Sequence, residues 1–418
     1  MSGFPEFNYR GNELFVESVP LRKIAETFGT PCYVYSRSAL TKAYQKFETA
    51  FAGRDHLICY AVKANSNIAI LNLFAQLGSG FDIVSGGELQ RVLQAGGDPG
   101  KTVFSGVGKS RAEMQLALNA DILCFNVESE AELITLNEVA QAMGKIAPVS
   151  LRVNPDVDAK THPYISTGLK ENKFGIPAST AASIYQSAHQ YSNIRFTGLD
   201  CHIGSQLTEL GPFMQAGEKM LQLLNTLQSQ GLEIEHLDLG GGLGIRYAHE
   251  TPPTIENYVS SLCAGTQHIK QRLLIEPGRS LVGNSGILLT RIEYLKHTSA
   301  RNFAIVDAAM NDLMRPALYD AYHEILPVIN NRAELRKYQV VGPVCETGDF
   351  LGHDREFAVE TGDLLSVMSA GAYGMSMSSN YNTRPRAAEI MVDQDKTYVI
   401  RQRETIDQLI ASEQTLPQ

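Results

Sequence analysis

LICYAVK (57–63), GFDIVS (80–85), TVFSG (102–106) and DILCFNV (121–127) are apolar runs set at regular intervals along the chain. PVSLRVN (148–154), FTGLDCHIG (196–204), HLDLGGG (236–242) and RLLIEPG (272–278) continue the series. Each is apolar along most of its length, which suits strands of a parallel sheet covered on both faces. The stretches between them, such as GGELQRVLQAGG and SEAELITLNEVAQAMG, repeat apolar residues at helical spacing and end in glycine, a helix stop. Eight strand–helix units are the count of a (β/α)8 barrel, whereas an open doubly wound sheet usually needs fewer.

Beyond residue 283 the rhythm changes. GILLTRIEYLKH, RNFAIVDAA, KYQVVGP, REFAVETGDLLSV, AAEIMVD and KTYVIRQR are short β-like runs with turn residues between them. This spacing predicts a mostly antiparallel β-barrel or sandwich domain. Its clearest helical segment is MRPALYDAYHEI (314–325). Residues 1–29 do not fit the barrel rhythm and are expected to join the β domain, leaving residues 30–282 as the barrel. The length of 418 residues also favours two domains, since a single core rarely grows past about 250–300 residues.

Composition narrows the function classes. Lys and Arg total 36 against 45 Asp and Glu, a formal net charge of −9. Such a balance disfavours nucleic acid or an anionic membrane surface as general partners. No apolar stretch of about 18 residues is long enough to span a bilayer. The opening MSGFPEFNYR lacks a basic end followed by an apolar segment, so no secretory leader is expected. The six cysteines (32, 59, 124, 201, 263 and 345) form no CxxC pair, so neither a disulfide framework nor a zinc knuckle is expected. A reduced cytoplasm is the default setting and no metal is expected.

In a (β/α)8 barrel the chemistry lies at the carboxyl ends of the strands. Reading only those ends gives Lys63, then Asp82 and Ser85, then His202-Ile203-Gly204-Ser205-Gln206, then Gly240-Gly241-Gly242-Leu243-Gly244, then Glu276-Pro277-Gly278-Arg279. A lysine ending an apolar strand either escapes to solvent or becomes a reactive amine through desolvation. The glycine run lets backbone N–H groups approach an anion, at the usual phosphate position of these barrels. Glu276 follows three apolar residues, so it either pairs internally with Arg279 or faces a ligand's basic nitrogen. His202 reads as a core histidine or as a ring stacked on a ligand.

In the β domain, Arg315 and Tyr319 are four apart, on one face if helical. Gly342-Pro343-Val344-Cys345-Glu346-Thr347-Gly348-Asp349 places a thiol beside a carboxylate in a glycine-bounded loop, and Gly371-Ala372-Tyr373-Gly374 is a tight turn with a phenol at its tip. A reactive lysine, a phosphate cradle, a carboxylate and a stacking ring together point to pyridoxal 5′-phosphate (PLP).

With these motifs in this order over nearly the whole chain, the sequence resembles the alanine-racemase-like, fold type III PLP-dependent decarboxylases. The segment from Asn311 to Tyr319 resembles the branch acting on meso-diaminopimelate, and ornithine and arginine decarboxylases of this fold lack it. The resemblance implies decarboxylation of meso-2,6-diaminopimelate to L-lysine and CO2, the last step of lysine biosynthesis by that route. It implies that Lys63 carries PLP, that His202 stacks on it, that Ser205 with the loop at Gly241 and Gly242 holds its phosphate, and that Gly240 and Gly278 also touch the cofactor. Glu276 would face the pyridine nitrogen. Arg279, Arg315 and Tyr319 would hold the substrate carboxylate, and Arg279 and Tyr373 would touch both cofactor and substrate. A homodimer with shared sites is implied, Cys345 entering from the partner subunit as proton donor and Glu346 meeting the distal ammonium. Thr347 departs from the serine common at that place. Decarboxylation of another basic amino acid (ornithine, lysine or arginine) on the same fold is the alternative, and a non-catalytic PLP-binding protein is a third reading.

Overall fold

The computed structural model describes residues 5–157, 172–330 and 334–417. The chain divides into two compact units, one of residues 43–245 and 251–281 and the other of residues 1–42, 246–250 and 282–418.

In chain order the strands are β1 (Phe7–Arg10), β2 (Glu13–Val16), β3 (Val19–Pro20) and β4 (Cys32–Ser36), then β5 (His56–Ala61), β6 (Gly80–Ile83), β7 (Thr102–Phe104), β8 (Cys124–Val127) and β9 (Ala147–Asn154). They continue as β10 (Ile176–Pro177), β11 (Ile194–Asp200), β12 (His236–Asp238) and β13 (Arg272–Ile275). Strands β5 to β9 and β11 to β13 pair in parallel, and β13 pairs with β5, so eight strands close on themselves. The two-residue β10 lies on the edge of β9.

Local chemistry starts the barrel helices where the sequence places a short polar residue. Asn67, Ser85, Ser110, Ser129 and Thr254 each accept a backbone N–H of the helix that follows, satisfying donors the first turn leaves open. Ser110 and Glu113 complete a reciprocal capping box. Inside the barrel, Leu57, Cys59, Val103, Cys124 and Leu274 pack as an apolar layer. Lys63, Asp82, Asp200, Asp238 and Glu276 lie at or close to the carboxyl ends of their strands.

The second unit adds β14 (Gly286–His297), β15 (Asn302–Val306), β16 (Ile325–Pro327), β17 (Arg336–Val341), β18 (Phe350–Phe357), β19 (Leu364–Val367), β20 (Ala388–Asp393) and β21 (Lys396–Arg401). Their order is β18-β17-β15-β14-β4-β20-β21, with β19 joining β14 and β16. Most pairs are antiparallel; β15 with β17 and β4 with β20 run parallel. The small sheet β1–β3 and helix α1 (Leu21–Phe28) belong to this unit. Leu21 and Ile24 of α1 bury with Phe7, Leu14, Val16, Val34, Ile287, Leu289, Met368, Ile390 and Val392 in one core.

This division differs from one drawn at residues 29 and 282, because β4 pairs with β14 and β20 and so stays with the β unit. A second correction concerns residues 314–325. Helix α2 is only Arg315–Tyr319, because Asp320 turns into the left-handed region (φ 49°) and the chain then extends into β16.

Removing a core side chain should cost more than removing an exposed one. Ile390→Ala is expected to lower the stability of the β unit by about 2–5 kcal/mol, whereas Ile410→Ala, at a half-exposed position, should stay within about 0.5 kcal/mol. Urea unfolding of the two variants checks the difference.

Candidate active site

Strand β5 ends in a short 3-10 turn, Val62–Ala64, that carries Lys63 out of the apolar run. Its Nζ stands 2.7 Å from Oδ2 of Asp82, the third residue of β6. The lysine side chain is one-third exposed and the aspartate is fully buried, so the amine faces the barrel mouth while its counter-charge lies beneath. The alternative of a lysine head released to bulk solvent is thereby set aside.

The strands across the mouth supply the remaining groups. His202, just past β11, accepts at Nδ1 the backbone N–H of Gly241 (3.1 Å), which puts the ring hydrogen on Nε2. Burial, then the charges of Arg152 and Lys63, hold this imidazole well below its usual range, so it is a neutral ring. The glycine run is compact for a reason. A Cβ on Gly241 would collide with the Glu276 carbonyl, and one on Gly242 (φ 114°) would stand 2.5 Å from the carbonyl of Gly204. Gly240 and Gly278 are also tightly packed, the latter against Ala61 and Ala64. Arg279 donates from Nη2 to Ser205 Oγ at 3.1 Å, joining the loops after β11 and β13.

Glu276 is buried and accepts the side-chain N–H of Asn126 (3.3 Å). One oxygen each of Glu276, Asp200 and Asp238 lie within 4.8 Å of one another, near enough to hold a cation between them or to disfavour one another's charge. Burial first, then the neighbouring Asp82, Asp238 and Asp200 charges, raise the Glu276 carboxyl well above its usual range. Asp238 is likewise pushed up to about 7, chiefly by burial. Arg152 supplies local positive charge, with Nη1 3.1 Å from Glu128 and Nε 4.0 Å from Asp200.

Sequence reasoning named Lys63, His202, Ser205, the glycines, Glu276 and Arg279, all of which end barrel strands. It passed over Asp200, Asp238, Asn126 and Arg152. The signal was present, since each is a polar residue within an apolar strand or at its end (GLD, HLD, CFNV, SLRVN).

The other expected residues lie in the β unit and are described there. Arg315 is buried at the start of α2, and half-buried Tyr319 closes that helix on the next turn. Cys345 and Glu346 are exposed on a turn organised by Asp349. The buried Asp349 carboxylate accepts the N–H groups of Val344 (2.9 Å) and Met310 (2.7 Å), and Asn382 accepts that of Cys345 (2.8 Å). Tyr373 is half-buried and takes a left-handed backbone (φ 55°) between glycines whose Cβ positions are filled by Val282 and Tyr33.

Residues 37–283 match the family described as pyridoxal-dependent decarboxylase, pyridoxal binding domain. The chain is 58% identical over 412 residues to diaminopimelate decarboxylase of Pseudomonas aeruginosa, covering 99% of each chain. It is 56% identical over 414 residues to that of Vibrio cholerae, again covering 99% of each. Among solved structures, diaminopimelate decarboxylase of M. jannaschii in complex with L-lysine superposes with a TM-score of 0.95 at 38% identity, covering 100% of this chain and 99% of that one. Among the described residues no helix is long and apolar enough to cross a membrane.

The buried carboxyls make a pH prediction. Asp238 has a higher pKa folded than unfolded, so the native state binds a proton that the unfolded chain releases between about pH 4 and 7. Its contribution therefore opposes folding above pH 7 and vanishes as the pH falls. Asp238→Asn, which mimics the protonated acid, should melt higher than wild type at pH 8, with the gap closing toward pH 5. Thermal melts of the PLP-stripped protein test this; a gap independent of pH would show that Asp238 holds no such proton.

Proposed function

The chain belongs to the pyridoxal-dependent decarboxylases, and from that membership we propose how its residues act in converting meso-2,6-diaminopimelate to L-lysine and CO2. The observation that carries the reading is one barrel rim holding Lys63, the glycine run and Glu276 at the ends of separate strands.

These residues fit PLP. The glycine run packs where any side chain would collide, so the chain can pass close to a phosphate; the N–H groups of Gly240 and Gly241 themselves donate to Asp238 and His202, and Ser205 and Arg279 supply donors beside the run. When bound, PLP supplies an electron sink that takes up the electron pair left behind as CO2 departs.

Lys63 is the amine that would carry the cofactor, aimed by its contact with Asp82. Neutral His202 would present its ring face without adding positive charge. Glu276, kept protonated by its buried neighbours, would deliver that proton to the pyridine nitrogen and remain as its carboxylate partner. Gly278 keeps the Glu276–Arg279 turn close to the end of β5.

The substrate has an amino-acid group at each end, so one end must be held while the other reacts. Arg315 and Tyr319, with Arg279, would hold a carboxylate, since a guanidinium fork binds it bidentately. Tyr373 would line the space shared by cofactor and substrate. In a homodimer, Glu346 entering from the partner copy would meet the distal ammonium. Cys345 would give the proton that replaces the departed carboxylate, a role that suits an exposed thiol on a fixed turn. The reaction fits the cytoplasm, where a free thiol is kept reduced.

L-lysine in the M. jannaschii structure supports this substrate class, because it keeps the carboxylate that the reaction does not remove. Purified protein with PLP should release CO2 and lysine from meso-diaminopimelate; no turnover would refute the reading. Lys63→Ala should lose covalently held PLP, measured by borohydride trapping. Arg315→Ala should raise KM for meso-diaminopimelate by about tenfold or more, and an unchanged KM would remove Arg315 from the substrate site.

A further inference from the structure

Two uncharged groups of the β unit contact the Arg315 guanidinium. Its central carbon lies 4.4 Å from the ring centre of Tyr247, and its Nη1 lies 2.7 Å from Nε2 of His323. On its other side, His323 Nδ1 is 2.8 Å from the carbonyl oxygen of Met368. A carbonyl can only accept and a guanidinium can only donate. Nδ1 therefore carries the hydrogen and Nε2 offers its lone pair, so this arrangement requires a neutral imidazole.

The imidazole is itself fixed in place. It is fully buried, meets the Tyr247 ring edge to face (5.2 Å, 75°), and its backbone carbonyl accepts Nη2 of Arg355 at 3.0 Å. Tyr247 lies three residues beyond the glycine run, in the short segment 246–250 that belongs to the β unit.

We propose that His323 and Tyr247 are positioning residues that aim the Arg315 guanidinium at the substrate's distal carboxylate. This rests on the reading that Arg315 binds that carboxylate. The choice of uncharged partners has a physical reason. A carboxylate in place of His323 would orient the fork equally well but would neutralise it, and the substrate would then have to compete. A neutral acceptor at one edge and a ring face below direct the fork without adding a counter-charge of their own.

The test compares two ligands on the PLP-loaded protein by calorimetry. L-lysine keeps the distal carboxylate, and 1,5-diaminopentane is the same chain without it. His323→Leu should weaken L-lysine by about tenfold or more and leave 1,5-diaminopentane unchanged, with KM for meso-diaminopimelate rising more than kcat falls. His323→Gln, whose amide oxygen can accept from Nη1, should restore most of the lysine affinity, and Tyr247→Leu should weaken lysine in the same direction. Equal weakening of both ligands in His323→Leu, or no recovery in His323→Gln, overturns the proposal. If His323→Leu does not fold, Tyr247→Leu decides, and an unchanged ratio of the two affinities overturns the proposal. Arg315→Ala separates the two levels. If it leaves the ratio unchanged, the assignment of Arg315 itself fails. If it abolishes the ratio while His323→Leu and Tyr247→Leu do not, only the positioning role fails.

Discussion

Strand β13 pairs with β5, with Ile275 opposite Ile58, and this closes eight parallel strands into a ring. Because every strand runs the same way, every carboxyl end opens on one rim. Closure thereby gathers Asp82, Asp200, Asp238 and Glu276 from four strands or strand ends into a buried site. That many carboxylates cannot all stay ionised away from water, since like charges at such range repel strongly in a low-dielectric interior. The arrangement survives because Lys63 and Arg152 bring positive charge and because Glu276 and Asp238 hold protons readily. The reactive character of the rim is thus a consequence of barrel closure as much as of any single residue.

The formal charge of −9 disfavours polyanions, yet PLP and a dicarboxylate are anions. The conflict dissolves at the scale of single groups. Backbone N–H groups carry no formal charge and do not enter the count, while Arg279 and Arg315 are buried cations, one donating to Ser205 and the other to His323. A few directed donors decide anion binding at short range, whereas net charge governs longer-range attraction.

What could be read from sequence follows from how local each signal is. The barrel strands are short apolar runs, and the residues ending them are visible without knowing any contact. Lys63 and Glu276 stand out because a charge follows an apolar run. Asp200 and Asp238 lie in equally apolar surroundings but were absorbed into the strand pattern, and only closure shows that they converge. The extent of α2 was overestimated because spacing carries no warning that Asp320 adopts a left-handed backbone. The contact between Tyr247 and Arg315 joins positions 68 apart in the chain, and no periodicity reports such a pair.

Strand β4 ends only 36 residues into the chain, yet its two neighbours in the sheet are β14 and β20, which start at residues 286 and 388. On a ribosome this fixes an order of events. All eight barrel strands emerge by residue 275 and can close while synthesis continues. One edge of β4 can pair once β14 has been made, but the other must wait for β20, about a hundred residues later. A strand made before the whole barrel thus gains its second neighbour only after the barrel strands are complete.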